Sequence, residues 1–228
     1  MGARQLRQLA LYCLIGIAML SLTPAQAETT DPVGLLKAAS DQMFASLNQK
    51  RTELQNNPVK TQELIEQILM PHLDFITASR WVLGKHWRRA NKEQKLNFIR
   101  QFRNLLLRFY STALSEYLSE TKRKSFDPNS MKFFPLRANK GDTDVTVRSE
   151  FIPGSGKPVP VHYHMHQTKK GWKIYDISVE GISVITTYRT SFGSEIQQNG
   201  LDSLINSLSD KNNKFLAQAP KAKTTSEQ

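Results

Sequence analysis

Residues 144–179, DVTVRSEFIPGSGKPVPVHYHMHQTKKGWKIYDISV, decide the fold. Apolar and polar side chains alternate through them with a period of two, the signature of strands with one buried face. Val145, Val147, Ser149 and Phe151 share one face; Thr146, Arg148, Glu150 and Ile152 share the other. Pro153-Gly154-Ser155-Gly156 is a turn. Val159, Val161, Tyr163 and Met165 then form an inward face opposite His162, His164 and His166. Lys169-Lys170-Gly171 turns the chain again, and residues 172–179 form a strand with apolar residues on both faces. Turns this short join antiparallel neighbours. Phe133 and Phe134 precede Pro135, which suits an edge strand. The run therefore predicts a meander of about four strands.

On both sides of this run the period is 3.6. From Asn91 to Glu120, Phe98, Phe102, Leu105, Leu106, Phe109, Tyr110, Ala113 and Tyr117 fall within an arc of about 140°. Leu96, Leu107, Leu114 and Leu118 widen that arc to roughly 220°. A helix this broad in its apolar face meets apolar material on two sides. Either a sheet and other helices cover it, or part of it faces a cavity. Upstream, Asp31-Pro32 reads as a cap and first helical turn, followed by Leu35, Leu36, Ala39, Met43 and Leu47 at helical spacing. Asn56-Asn57-Pro58 breaks that helix, Leu64, Ile65, Ile68 and Leu69 define a second, and Gly84 caps a short third. Downstream, Gly181 returns the chain to helix, with Ile182, Ile185, Phe192 and Ile196 on one side. Gly200 separates a last helix carrying Leu201, Leu204, Ile205 and Leu208. Residues 211–228 are polar and read as a disordered tail. Helices, strands and helices again predict a single α+β domain over residues 28–210, a helical layer packed on a twisted, mainly antiparallel sheet.

The N-terminus addresses the chain to a compartment. Arg4 and Arg7 precede the apolar stretch 9–22, and Ala25-Gln26-Ala27 is a small-x-small cleavage signature. Residues 1–27 are thus expected to be a signal peptide cleaved near Ala27, with a periplasmic product. The alternative, an uncleaved anchor, has too short an apolar stretch for a span of about 20 residues. Cys13, the sole cysteine, lies inside that stretch, so no disulfide framework or thiolate metal cluster is available. The formal net charge is +11, which calls for an acidic partner. Export disfavours nucleic acid and favours an anionic membrane surface or an acidic protein. Lys85, Arg88, Arg89, Lys92, Lys95, Arg100, Arg103 and Arg108, then Lys122, Arg123 and Lys124, are candidates for that docking, or else ordinary solvated helix surface.

Catalytic signatures are missing: there is no GxSxG, P-loop, HExxH or CxxC. His162, His164 and His166 share a strand face that could hold zinc, although the solvent face of an amphipathic strand explains them more simply. Asp176 sits between apolar neighbours, as a general base in an apolar cone would; the simpler reading is a structural carboxylate bonded to Arg189, a Tyr hydroxyl or helix N–H groups. With no nucleophile or oxyanion hole in sight, the expectation is a non-enzyme that contains an apolar ligand. An enzyme using Asp176, a lipoprotein carrier and a metal carrier remain as alternatives.

Two stretches then carry a resemblance. The first is Leu83-Gly84, Trp87, Ala90, Gln94, Phe98, Phe102, Leu105-Leu106 and Tyr110. The second is Trp172, Asp176, Glu180-Gly181-Ile182-Ser183, Tyr188-Arg189, Phe192, Gly200-Leu201 and Leu204-Ile205. In order and spacing they resemble the MlaC, or toluene-tolerance, family over nearly the whole mature chain. The resemblance implies a phospholipid carrier with a deep apolar pocket between helices and sheet, the lipid being cargo and no cofactor being required. It also implies partners: an outer-membrane lipoprotein–porin complex and an inner-membrane ABC transporter with an MCE-domain subunit. The three-histidine face lies outside the family pattern. The residues expected to line the pocket are Phe75, Trp81, Val82, Phe98, Phe102, Leu105, Leu106, Phe109, Val147, Phe151, Tyr163, Met165, Ile174, Ile182, Ile185 and Tyr188.

Overall fold

The computed structural model describes residues 31–120, 125–152 and 156–218. The expected signal peptide and the last ten residues of the expected tail lie outside these. Helix α1 (Pro32–Gln49) begins where Asp31 predicts it, the Asp31 carboxylate accepting from Gly34 N–H at 3.0 Å. After the short α2 (Arg51–Leu54), Asn57 caps α3 (Pro58–Ile68) in the same way, at 3.1 Å from Lys60 N. A 3-10 turn over Met70–His72 leads to Asp74, whose carboxylate caps α4 (Phe75–Leu83). Gly84, at φ +51°, ends α4 and starts α5 (Lys85–Arg89). Asn91 and Gln94 then exchange hydrogen bonds of 2.8 and 3.0 Å, a capping box that opens the long α6 (Lys92–Glu120).

The sheet has five antiparallel strands in the order β1 (Met131–Phe133), β2 (Asp144–Phe151), β3 (Val159–Thr168), β4 (Gly171–Val179) and β5 (Ile182–Ser183). Expectation stopped at about four, because Ile182 was counted into the following helix. Glu180 and Gly181, at φ +51° and +81°, make a two-residue turn that pairs Val179 with Ile182 before helix can start. Ser183 ends this strand by capping α7 (Val184–Asn199), its Oγ accepting from Thr186 N at 3.0 Å.

A bulge gives the sheet its inner face. Opposite His164 and Met165, strand β4 offers Asp176 and Ile174, so Tyr175 is an extra residue. Simple alternation would put Ile174 and Ile177 on opposite faces. The bulge puts both inward, opposite Met165 and Tyr163. This explains why residues 172–179 look apolar on both sides.

The last helix, α8 (Leu201–Gln218), corrects the expected tail over residues 211–218. Composition there is polar, but Asn212 is buried, its amide donating to Gln101 O at 3.1 Å and to Gln101 Oε1 at 2.8 Å. Arg108 also donates to the Lys211 carbonyl. A polar stretch stays helical where a neighbouring helix accepts its donors.

Candidate functional site

Three apolar clusters form the interior, and they do not merge. The first joins α4, α6, α7 and α8 through Val82, Leu83, Phe98, Phe102, Ile185, Phe192 and Leu204. The second joins α1, α3 and α6 through Phe44, Leu47, Leu64, Ile68, Leu118 and Phe126. The third lies between α1 and the sheet and holds Leu36, Val145, Val147, Met165, Trp172 and Ile174. Where they would meet there is instead a cleft of about 440 Å³.

Each wall comes from a different element. Met43 and Leu47 come from α1, and Ile65 and Leu69 from α3 and its end. Met70, Leu73, Asp74, Phe75 and Ala78 make one continuous wall. Phe102, Leu106, Tyr110 and Leu114, spaced four apart along α6, form another with Leu107. Ile174, Tyr175, Asp176, Ile177 and Val179 of β4 face them, and Val184 and Ile185 of α7 close the end.

The two carboxylates in the lining are already engaged. Asp74 accepts from Thr77 N at 2.9 Å and from the Thr77 hydroxyl at 2.8 Å, and pairs with His166 Nε2 at 2.9 Å. Burial pushes its carboxyl up; the two Thr77 bonds and His166 outweigh this and hold it below its ordinary value. Asp176 accepts from Ile177 N at 2.9 Å, Ile185 N at 3.1 Å and the Ser183 hydroxyl at 2.6 Å. The Tyr175 hydroxyl donates to Asp144. Tyr110 stands at the mouth, 44% exposed, its hydroxyl pushed up by burial and then by Tyr188 and Asp176. The arrangement can shelter an apolar chain and offers no free base.

Of the expected lining residues, the structure brings Phe75, Phe102, Leu106, Ile174 and Ile185 to the cleft. The structure places the others elsewhere. Val82 and Phe98 are packed within the first cluster, and Val147 and Met165 within the third. Leu105 and Tyr188 flank the first cluster, Phe151 the second and Tyr163 the third. Trp81, Phe109 and Ile182 are exposed, Trp81 lying under the Arg189 guanidinium at 5.6 Å. Apolar character marks both core and cleft, so it could not sort them. Met43, Leu47, Ile65, Leu69, Leu73, Ala78, Tyr110 and Leu114 were missed. For α6 a signal existed: the four-residue stripe from Phe102 to Leu114 continues past the point where Phe98 is covered by α7.

The histidine face does not assemble a metal centre. His164 Nδ1 lies 3.1 Å from Thr146 Oγ1, His166 pairs with Asp74, and His162 lies opposite Arg148 and Ser178. Among the described residues no group of three or more His, Cys, Asp or Glu side chains could hold a metal ion. Nor, among them, is any helix long and apolar enough to cross a membrane.

Fold and cleft together define a class: an α+β container whose sheet and helices are held apart around an apolar space. Within that class, the family described as MlaC protein matches residues 37–210, and the chain belongs to it. The toluene tolerance protein ttg2D of Pseudomonas putida is 25% identical over 190 residues, 83% of each chain. The intermembrane phospholipid transport system binding protein MlaC of Haemophilus influenzae is 23% identical over 194 residues, covering 82% of this chain and 85% of its own. A solved structure of the phospholipid-binding protein from Ralstonia solanacearum, in complex with a phospholipid, superposes with a TM-score of 0.69 at 29% identity. It covers 82% of this chain and 99% of the other.

Proposed function

We propose that the protein is a periplasmic phospholipid carrier, which takes acyl chains into the cleft and leaves the head group at its mouth. The observation that carries this is an apolar cleft whose two lining carboxylates, Asp74 and Asp176, are engaged as helix caps. Likeness to a protein held in complex with a phospholipid supports the choice of cargo. The same engagement of Asp176 argues against an enzyme that uses it as a base.

Each methylene kept from water contributes about 0.8 kcal/mol, and two acyl chains hold on the order of 30, so a lipid leaving a bilayer for water loses roughly 20 kcal/mol or more. Free diffusion between membranes is negligible on that scale. The cleft restores most of the loss. Bilayer and cleft are both apolar, so exchange between them is nearly balanced and the carrier itself needs no ATP. Direction is then set by its docking partners: an outer-membrane lipoprotein–porin complex on one side and an inner-membrane ABC transporter with an MCE-domain subunit on the other.

Protein purified from cells without detergent is expected to carry phospholipid visible by native mass spectrometry. Repeatedly ligand-free preparations that also take up no lipid from vesicles would remove the reading.

A further inference from the structure

Four polar side chains line the cleft, and three of them are committed. Asp74 is bonded to Thr77 and His166, Asp176 to Ile177, Ser183 and Ile185, and the Tyr175 hydroxyl to Asp144. The Tyr110 hydroxyl is the exception: it has no hydrogen-bond partner among the described residues. A tyrosine hydroxyl in apolar surroundings ordinarily finds one. Here the ring belongs to the lining while the residue is still 44% exposed, so the hydroxyl stands where the cleft opens to water.

Its surroundings suit an anionic acceptor. The Phe109 ring meets the Tyr110 ring edge-on, with centroids 5.3 Å apart. Tyr188 lies one helical turn beyond Val184, which closes the cleft, and its ring packs edge-on against the lining residue Phe102 at 5.3 Å. The Tyr188 hydroxyl is likewise without a hydrogen-bond partner among the described residues. Burial pushes this hydroxyl up, and the Arg108 guanidinium is near enough to draw it part of the way back. Tyr110 is raised by burial and then by Tyr188 and Asp176. Both phenols therefore keep their protons near neutrality and are available as donors. The Asp176 carboxylate, which also acts on Tyr110, already accepts three hydrogen bonds.

We infer that the Tyr110 hydroxyl, with Tyr188 beside it, is a subsite for the phosphate of the lipid head group, holding it at the mouth while the acyl chains lie in the cleft. The inference rests on the carrier reading and adds the group that tells a phospholipid from a neutral lipid with the same chains. A phosphodiester oxygen is an anionic acceptor, and a hydrogen bond to an ionised group is about twice as strong as one between neutral groups. The ester carbonyls of the glycerol backbone are neutral acceptors and gain less. A site with an uncommitted donor rejects a ligand that lacks the matching acceptor, because the donor then gives up water and gains nothing.

The test is a competition within one membrane. Vesicles holding equal amounts of dioleoylphosphatidylglycerol and dioleoylglycerol are mixed with the protein, the protein is re-isolated, and both lipids are extracted from it and counted by mass spectrometry. Both come from the same vesicle, so the attraction of a basic protein to that vesicle cancels in their ratio. Tyr110→Phe keeps the ring and removes the donor. It is expected to lower the ratio of phospholipid to diacylglycerol by about tenfold, with thermal melting unchanged. Tyr188→Phe is expected to lower the ratio by a smaller factor. Leu106→Phe, which reshapes the apolar wall one turn away, is expected to change the total load and not the ratio. A ratio unchanged in Tyr110→Phe, whether or not the total load falls, would overturn the subsite and leave the carrier standing. Unsubstituted protein that takes up neither lipid would remove the carrier and the subsite with it.

Discussion

The Ser183 hydroxyl donates to the Asp176 carboxylate at 2.6 Å, tying the end of β4 to the start of α7. Ser183 simultaneously caps α7, and Asp176 receives Ile185 N–H from the same helix. Asp176→Ala strands these donors and is expected to cost about 1–3 kcal/mol. Asp176→Asn, which keeps an acceptor, is expected to cost less and to leave lipid loading intact. Urea denaturation and native mass spectrometry of the two variants check this. Loss of loading in a fully stable Asp176→Asn protein would contradict a purely structural carboxylate.

Ala78 and Val147 separate the cleft from the core. Ala78 lines the cleft, so Ala78→Trp has empty space to enter and is expected to exclude cargo while the protein stays folded. Val147 is fully buried, so Val147→Trp overpacks the third cluster and is expected to cost about 1–3 kcal/mol or more. Lipid exchange and thermal melting, measured on both, should give opposite patterns. A Val147→Trp protein of normal stability that fails to bind lipid would return that residue to the site.

These two residues also show how far the sequence could be read. The α+β order, the strand faces, the cap at Asp31, the break at Asn56-Asn57-Pro58 and the broad apolar face of the long helix were all legible, because each follows from local spacing. The fifth strand was hidden in a two-residue turn. The inward placement of both Ile174 and Ile177 was hidden in a one-residue bulge. The cleft itself was mostly illegible. Its walls come from elements far apart in the chain, and a leucine facing a void has the same chemistry as one facing another leucine. Leu47 and Leu69 were read as ordinary helix stripes for that reason. Asn212 was read as tail because its partner, Gln101, sits on a different helix.

Gly84 connects α4 to α5 at φ +51° and ψ −118°, a conformation side chains rarely adopt. A Cβ there would meet Arg189 Nε, Arg189 Cζ and Trp81 O at ordinary contact distances, so the cost is backbone strain and not a clash. Gly84→Ala is expected to destabilise by about 1–3 kcal/mol. Chemical denaturation reads the loss directly. An unchanged midpoint would mean that the α4–α5 junction relaxes freely.

Tyr163 ties stability to pH on the alkaline side. Burial pushes its hydroxyl up to about 12, partly offset by Ser149. Its folded value lies above the unfolded value of about 10, so its contribution is complete below that value and is lost as pH rises from about 10 towards 12. Burial and Asp144 push the Tyr175 hydroxyl up to about 12 as well, so ultraviolet titration should show late-ionising tyrosines with one fewer in Tyr163→Phe, and that variant should lose less stability across the same window. Ionisation of every tyrosine near the ordinary value would refute it.

Asp74 works in the opposite direction. Its carboxyl is held below the ordinary range, so the charged form is the one the fold favours. Its contribution is present above the unfolded value of about 3.9 and is lost as pH falls through the lower folded value. Asp74→Asn keeps the cap on Thr77 but removes the titration. It is expected to be less stable than the parent near neutrality, where the parent retains the charged carboxylate that Thr77 and His166 favour. The difference should shrink steadily as both are acidified, because the parent's carboxyl becomes neutral while the amide does not change. Urea midpoints measured at intervals from neutral pH into acid follow this directly. A gap that stays constant with pH would show that the Asp74 charge adds nothing beyond the cap.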